Sequence, residues 1–528
     1  MTLAIAWIGV PAAAAPVSVT TYHNDNSRTG WNPNETKLTV ANVNSSQFGL
    51  KFSVPLDGEV YAQPLYVPQV TIGGVAHNVV VVASENATVY AIDAGSGAIL
   101  WKHPFADPPL IVASVICHCG TIQGPQGLTG TPTIDVARDS IYVVAHTDEG
   151  PTGQVVTHYR LHALLLESGN DRVAATDIKM SAKATDGKTV WLSTTYNMQR
   201  PGLAENNGII YVSFGSQSDR HAASTTGWIA AYDADTLKPI GSLPGKVSTA
   251  TGLQQVQTEW YGKTGPVRLA SIWMSGAAPA IDSAGNIYVQ TGNGAYDGLL
   301  DWGQSLLKIA PSLSAVLDYF TPSTYKSDNN ADRDLGSAGV VLLPQMAGSY
   351  NVAVGGGKSG ITYLLDEANL GKLQPPGDPN VLFWAQTNFG LWGLPASYIG
   401  SDGNTYVMVP GSGPMTSWRV QTSPKPSLVQ VGQTPDQFCQ GDDCGTIPVI
   451  SSNGITPGTA IVWAYSRVPN AGPANLTLRA YDASNLSHEL VVLPFTHWLG
   501  GGMLLTPMVA NGMVYAGGES VLNAYGLH

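Results

Sequence analysis

Asp328-Asn329-Asn330-Ala331-Asp332-Arg333-Asp334 sets side-chain oxygens at alternating positions, the spacing with which calcium loops gather ligands. Asp328, Asn330 and Asp332 are therefore candidate metal ligands. The match is partial. Counting from Asp328, the sixth position should be Gly and is Arg333, and the twelfth should be Glu and is Gly339. A solvated acidic loop is the plainer reading. Cys117-His118-Cys119 offers two sulfurs and an imidazole, a donor set for copper or zinc. Disulfides are the alternative, and with Cys439 and Cys444 three pairings stay open. Cys439–Cys444 closes a small loop easily, whereas a Cys117–Cys119 ring is tight and strained. Gly355-Gly356-Gly357-Lys358-Ser359 has the look of a phosphate loop but lies between two strand-like runs, so it reads as a hairpin turn.

What must position such residues is a ring of short strands. Only 12% of the 528 residues are charged, while 59 Gly and 35 Pro recur along the whole length. That composition suits many short strands joined by tight turns. The net charge of −12, without a basic cluster, excludes a nucleic-acid partner and docking on anionic lipid.

One repeat unit is plain at Asn78–Trp101: an apolar run Val79–Val82, a turn, Val89–Asp93, a Gly95-Ser96-Gly97 turn and Ile99–Trp101. Echoes follow at Leu161–Leu164, Ile229–Asp233, Leu306–Ile309, Thr362–Asp366 and Leu478–Asp482. Ahead of each unit stands a short apolar strand, usually opened by Pro, at Pro64, Pro132, Pro201, Pro279, Val340, Pro395, Pro448 and Pro507. Pro at the first residue of a strand costs no ladder hydrogen bond. Eight markers predict an all-β, eight-bladed β-propeller. The last unit supplies three strands, so Leu50–Pro55 is expected to complete the eighth blade and remove the open edge.

Residues just before each innermost strand of a propeller converge over its central channel. Here they include Glu59, Tyr61, Gln63, Gln126, Thr129, Asn197, Gln199, Arg200, Trp273, Ser275, Asp334, Ser337, Trp392, Thr446 and Met503. Glu59 and Asp334 are the carboxylates placed to act as base or to meet a metal. Arg200 suits a carboxylate taken bidentately. Trp273 and Trp392 suit a planar ring or sugar face, with Gln63 beside them. Side chains that merely hydrate and fill the channel are the alternative.

Ala91-Ile92-Asp93-Ala94-Gly95-Ser96-Gly97-Ala98-Ile99-Leu100-Trp101 resembles the docking motif of the pyrroloquinoline-quinone (PQQ) repeat propellers. Tyr22–Gly30 and Asp57–Tyr66 resemble an exported bacterial group within that family, of mostly unassigned activity. The resemblance implies that the terminal Trp packs on the next blade's Gly and peptide planes. For the dehydrogenases of the family it implies PQQ, a Ca²⁺ held by Glu, Asn and Asp, an aspartate base and a ring of adjacent cysteines. The chain has no adjacent Cys pair and no C-x-x-C-H haem site.

Met1–Val10 is apolar and runs into Pro11 and Ala12–Ala15, which reads as a signal peptide cut after Ala14, although no basic n-region precedes it. A mature N-terminal strand is the alternative. The run is too short to span a bilayer. The sequence therefore predicts a leader over 1–14 and one propeller over 15–528, exported to the periplasm or medium and monomeric. The expected function is a quinoprotein-like oxidoreductase acting on an alcohol or sugar-like small molecule at the channel. A cofactor-free binding or scaffold propeller, and a polysaccharide-active enzyme, are the competing readings.

Overall fold

The computed structural model describes residues 17–105, 111–112, 122, 125–151, 154–183, 189–217, 225–240, 259–260, 263–264, 269–344, 350–387, 390–439, 445–467, 476–495 and 505–528. The first blade shows how the sequence makes its sheets. Leu65–Ile72, Val75–Ser84, Thr88–Asp93 and Ile99–Pro104 pair antiparallel in that order. Both faces of a blade are covered by neighbours, so Val79–Val82 is buried without alternation. The outer hairpin turns on Asp93, whose Oδ1 accepts the N–H groups of Gly95 and Ser96 at 3.1 and 2.9 Å. Asp233 and Asp482 make the same turn with Thr236 and Ser484. The recurrent Asp of the repeat is thus a corner, placed there by its side-chain acceptor.

Seven further blades follow, and the innermost strands begin where the sequence markers fall: Thr133–Asp135, Ala204–Asn206, Ala280–Ile281, Val341–Leu342, Ala396–Ile399, Val449–Ser451 and Met508–Ala510. The eighth blade closes as expected. Its fourth strand is Phe48–Pro55, pairing Phe48 with Leu527 and Pro55 with Val521, so it starts slightly before the expected Leu50. No helix among the described residues is long and apolar enough to cross a membrane.

Successive blades are stitched by aromatic side chains. Trp101 donates its indole N–H to Leu166 O in the next blade at 2.9 Å, and a Cβ on Gly169 would lie 2.5 Å from its ring. Where the Trp motif is absent, tyrosine hydroxyls reach the next blade's carbonyls. Tyr142 bonds Ala234, Tyr211 bonds Pro311, Tyr398 bonds Ala483, Tyr465 bonds Gly517, and Tyr515 returns to Ala94 of the first blade.

The N-terminal segment floors the channel, which the repeat pattern did not predict. Val19 bridges Tyr66, and the carbonyls of Thr20, Asn26, Ser27, Thr29 and Gly30 accept N–H groups of inner-strand Ile134, Ile281, Leu342, Ser397 and Ile450. Trp31–Asn32 then adds a parallel fifth strand to the seventh blade. At its centre Arg28 is fully buried. It donates to Pro279 O, Thr21 Oγ1, Tyr22 O and Asp25 O at 2.8–2.9 Å.

Candidate functional site

Two sets of positions open on one face of the ring: the loop before each innermost strand and the turn after each second strand. In the fourth and fifth blades these bring together Trp273 with Asn293, and Asp334 with Lys358. Lys358 Nζ stands 2.7 Å from Asp334 Oδ2 and 3.4 Å from Asp332 Oδ2. Its backbone N–H also donates to Asp334 O at 3.0 Å. Asn293 donates its backbone N–H to Asp334 Oδ1 at 2.6 Å and its side-chain amide to Asp332 Oδ1 at 2.5 Å. Gln304 fixes that amide's orientation, donating to Asn293 Oδ1 at 2.9 Å while accepting from Leu335 N–H at 2.6 Å. The two carboxylates, one amide and one ammonium are therefore held in a single network, buried at Asp334 and partly exposed at Asp332. Burial raises the Asp332 carboxyl above its ordinary range, Asp334 pushes the same way, and Lys358 opposes both.

Trp273 forms the apolar wall beside this network. Lys358 Nζ lies 5.7 Å and Arg200 Cζ 5.1 Å from its ring centroid, so two cations face one indole. The chain directly after it is strained. Met274, Ser275 and Gly276 have φ of 41°, 49° and 88° in succession. Ser275 Oγ anchors that turn on Ser337 O at 2.6 Å, next to Asp334. Left-handed backbone at non-glycine residues is maintained only where its surroundings demand it. Gly292 completes the fit, since a Cβ there would lie 2.3 Å from Asp334 Oδ1 and 3.2 Å from Trp273 Nε1.

Of the residues predicted from sequence, Arg200, Trp273, Asp332 and Asp334 meet here. Asp328 and Asn330 do not. Both lie in a short helix, Tyr325–Asn330, where Asp328 accepts the Thr324 hydroxyl at 2.6 Å and Asn330 is exposed. Gln63 turns to the floor of the channel and accepts His23 N–H at 2.8 Å. Trp392 is buried on the sixth blade, its indole N–H unpartnered among the described residues. Glu59 lies on the first blade, half a ring from Asp334. Met503, Cys117, His118, Cys119 and Cys444 fall outside the described residues. Asn293 and Lys358 were missed by sequence reasoning. Lys358 belongs to the glycine-rich stretch read as a hairpin turn. That turn is present between Val352–Gly356 and Ile361–Asp366, and its lysine is the site's cation. The available signal was the second set of repeat positions, one step after every second strand.

No protein-family model and no curated protein matches the chain. Solved structures do. The fold is that of the PQQ-type, quinoprotein alcohol dehydrogenase-like propellers. The chain is similar to quinohemoprotein alcohol dehydrogenase from Comamonas testosteroni (15% identity, 98% of this chain and 81% of that one, TM-score 0.60). It is also similar to quinohemoprotein alcohol dehydrogenase ADHIIG from Pseudomonas putida (14% identity, 97% and 80%, TM-score 0.55). A europium-containing methanol dehydrogenase matches at 14% identity over 95% and 82%, with TM-score 0.52.

The chemistry of the site separates the two groups that the resemblance implies. A flat polyanion fits, because an indole face is flanked by two cationic side chains. A divalent cation does not fit the described donors. No three acidic, His or Cys side chains among the described residues stand close enough to hold one, and the Lys358 ammonium is already paired with Asp332 and Asp334.

Proposed function

We propose that the chain is an exported oxidoreductase of the quinoprotein type, oxidising an alcohol or sugar-like small molecule beside Trp273. The observation that carries this reading is the Asp334–Lys358 pair set against an indole that also faces Arg200. Arg200 and Lys358 would bind the carboxylates of PQQ, and the Trp273 indole would pack against it. When bound, the quinone supplies a two-electron acceptor for the hydride of the substrate carbinol. Asp334 takes the hydroxyl proton. Its carboxylate is oriented for that by Asn293 N–H on one oxygen and Lys358 on the other. No step is routed through a metal. One propeller acts as a monomer.

The test is a PQQ titration of the purified chain, followed by tryptophan fluorescence and cofactor absorbance. Saturable uptake is expected, weakened at least tenfold in W273A and R200A. D334N should bind PQQ normally and fail to reduce it with alcohol. Absence of saturable uptake by the wild-type chain overturns the reading and leaves a binding propeller.

A further inference from the structure

On the opposite side of the same face, three glutamates gather that the proposed chemistry does not use. Glu59 lies in the loop before the first blade's inner strand, and its backbone is bracketed by two turns. Glu85 N donates to Glu59 O at 2.8 Å, and Val60 N donates to Gly518 O at 3.0 Å. Glu85 and Glu519 directly follow the second strands of the first and eighth blades, Val75–Ser84 and Met513–Gly518. Glu59 is the shared neighbour: the charge of Glu519 acts on Glu59, and the charge of Glu59 acts on Glu85.

Glu85 and Glu59 are oriented by hydrogen bonds, and each of the three carboxylates leaves one oxygen unused. Glu85 is 1% exposed, and its Oε2 accepts Gly127 N–H at 2.9 Å while Thr129 bonds the same carboxyl. Its Oε1 is buried with no hydrogen-bond partner among the described residues. Tyr61 holds Glu59, whose Oε2 is likewise buried and unpartnered, as is Oε2 of Glu519. No Lys or Arg pairs with any of the three among the described residues. Burial raises Glu59 to about 7 and Glu85 to about 8, the condition of carboxyls that lack a cation. A fully buried acceptor left open in this way costs free energy unless something donates to it. The missing partner is cationic and carries N–H donors. A metal ion is disfavoured, because no three such groups stand within the reach of one ion. An ammonium group needs no closed ligand shell: its three donors can be met by one or two carboxylates and water while the third carboxylate adds charge alone.

We propose that Glu59, Glu85 and Glu519 bind an ammonium group of the substrate, which makes that substrate an amine-bearing alcohol, such as an amino alcohol or an amino sugar. The substrate class rests on the quinoprotein reading above, while the ammonium site stands on its own geometry. The mouth is then charge-polarised. Arg200 and Lys358 hold the anionic cofactor on the side of blades three to five, and the glutamates hold the cationic end of the substrate on the side of blades eight and one. The carbinol lies between them, towards Asp334.

Isothermal titration of the full chain with hexylammonium chloride, 6-amino-1-hexanol, 1-hexanol and calcium chloride at pH 7.5 tests this. Both amines should saturate, with an enthalpy that changes with buffer ionisation heat because binding expels protons from Glu59 and Glu85. Hexanol and calcium should not. E85Q and E519Q should each weaken the amines at least tenfold and leave the PQQ titration unmoved. If E85Q does not fold, the less buried E519Q carries the test. Amine binding indifferent to both variants, equal binding of hexanol, or stoichiometric calcium uptake abolished by E519Q overturns the proposal. A chain that takes PQQ but no amine overturns it alone. A chain that takes amines but no PQQ overturns the quinoprotein reading and leaves the ammonium site.

Discussion

Lys358 holds Asp334 twice, through its backbone N–H to the aspartate carbonyl at 3.0 Å and through its ammonium to the carboxylate at 2.7 Å. The lysine follows the second strand of the fifth blade and the aspartate precedes that blade's first strand. The pair therefore ties the two sets of face positions together where the candidate chemistry lies.

Removing this ammonium leaves the buried Asp334 carboxylate without its cation, beside the partly exposed Asp332. K358M should destabilise the chain by about 3–5 kcal/mol, the range for breaking a buried ion pair from one side. The sign with pH follows from Asp332, whose folded carboxyl is raised by burial. A raised acid binds its proton more tightly folded than unfolded, so stability falls as pH climbs through the raised value. Without Lys358 the Asp332 carboxyl loses the one cation that holds it down and rises further. The melting-temperature deficit of K358M should be larger at pH 7.5 than at pH 5, and an equal deficit at both would contradict the ion-pair account.

Glu85 gives a second pH signature. Its carboxyl is moved by burial from 4.5 to about 8. The native state retains a proton that the unfolded chain loses near 4.5, so wild-type stability should decline as pH rises from there through about 8. Denaturant titrations of E85Q should show a flatter decline over pH 6–9. An unchanged slope would mean that Glu85 ionises freely in the folded chain.

Much of the ring was legible because its determinants are local. The inner strands announce themselves by Pro64, Pro132, Pro279, Pro395, Pro448 and Pro507, and the outer corners by Asp93, Asp233 and Asp482. The half of the site that precedes inner strands, Trp273 and Asp334, was legible for the same reason. Asn293 and Lys358 were not, because a turn residue after a second strand has no mark of its own until the ring brings eight such turns to one face. Asp328 and Asn330 misled by spacing alone. A six-residue helix turns alternate residues to different sides, whereas a calcium loop would gather them. The floor was illegible because Tyr22–Gly30 has no periodicity. Its bonds go to strands more than a hundred residues away.

That floor can be tested at Arg28. Four of its donors' bonds reach acceptors within the segment and across to Pro279 O. Three of these bonds leave Nη1 and the fourth leaves Nε, so the single nitrogen of lysine cannot also reach Pro279 O, and R28K should cost about 3 kcal/mol, in line with a lost hydrogen bond made by a charged group. The loss should be local first. Limited proteolysis should cut the R28K chain within residues 17–47 while the blades stay protected, and uniform digestion would argue against a separable floor.

The last prediction concerns the seams. Trp101 combines an indole packed on Gly169 with a bond to Leu166 O, whereas Tyr515 closes the ring through its hydroxyl on Ala94 O at 2.8 Å. If packing dominates, W101A should cost about 3 kcal/mol, because a large aromatic is removed and its space cannot refill. W101F and Y515F should each cost only about 1 kcal/mol, the net worth of one neutral hydrogen bond. Urea denaturation of the three variants decides the order. Should Y515F match W101A, the hydroxyl at the closure would bear more than a neutral bond's usual share. The ring would then be held chiefly at the point where the eighth blade meets the first, and the intermediate seams would matter less.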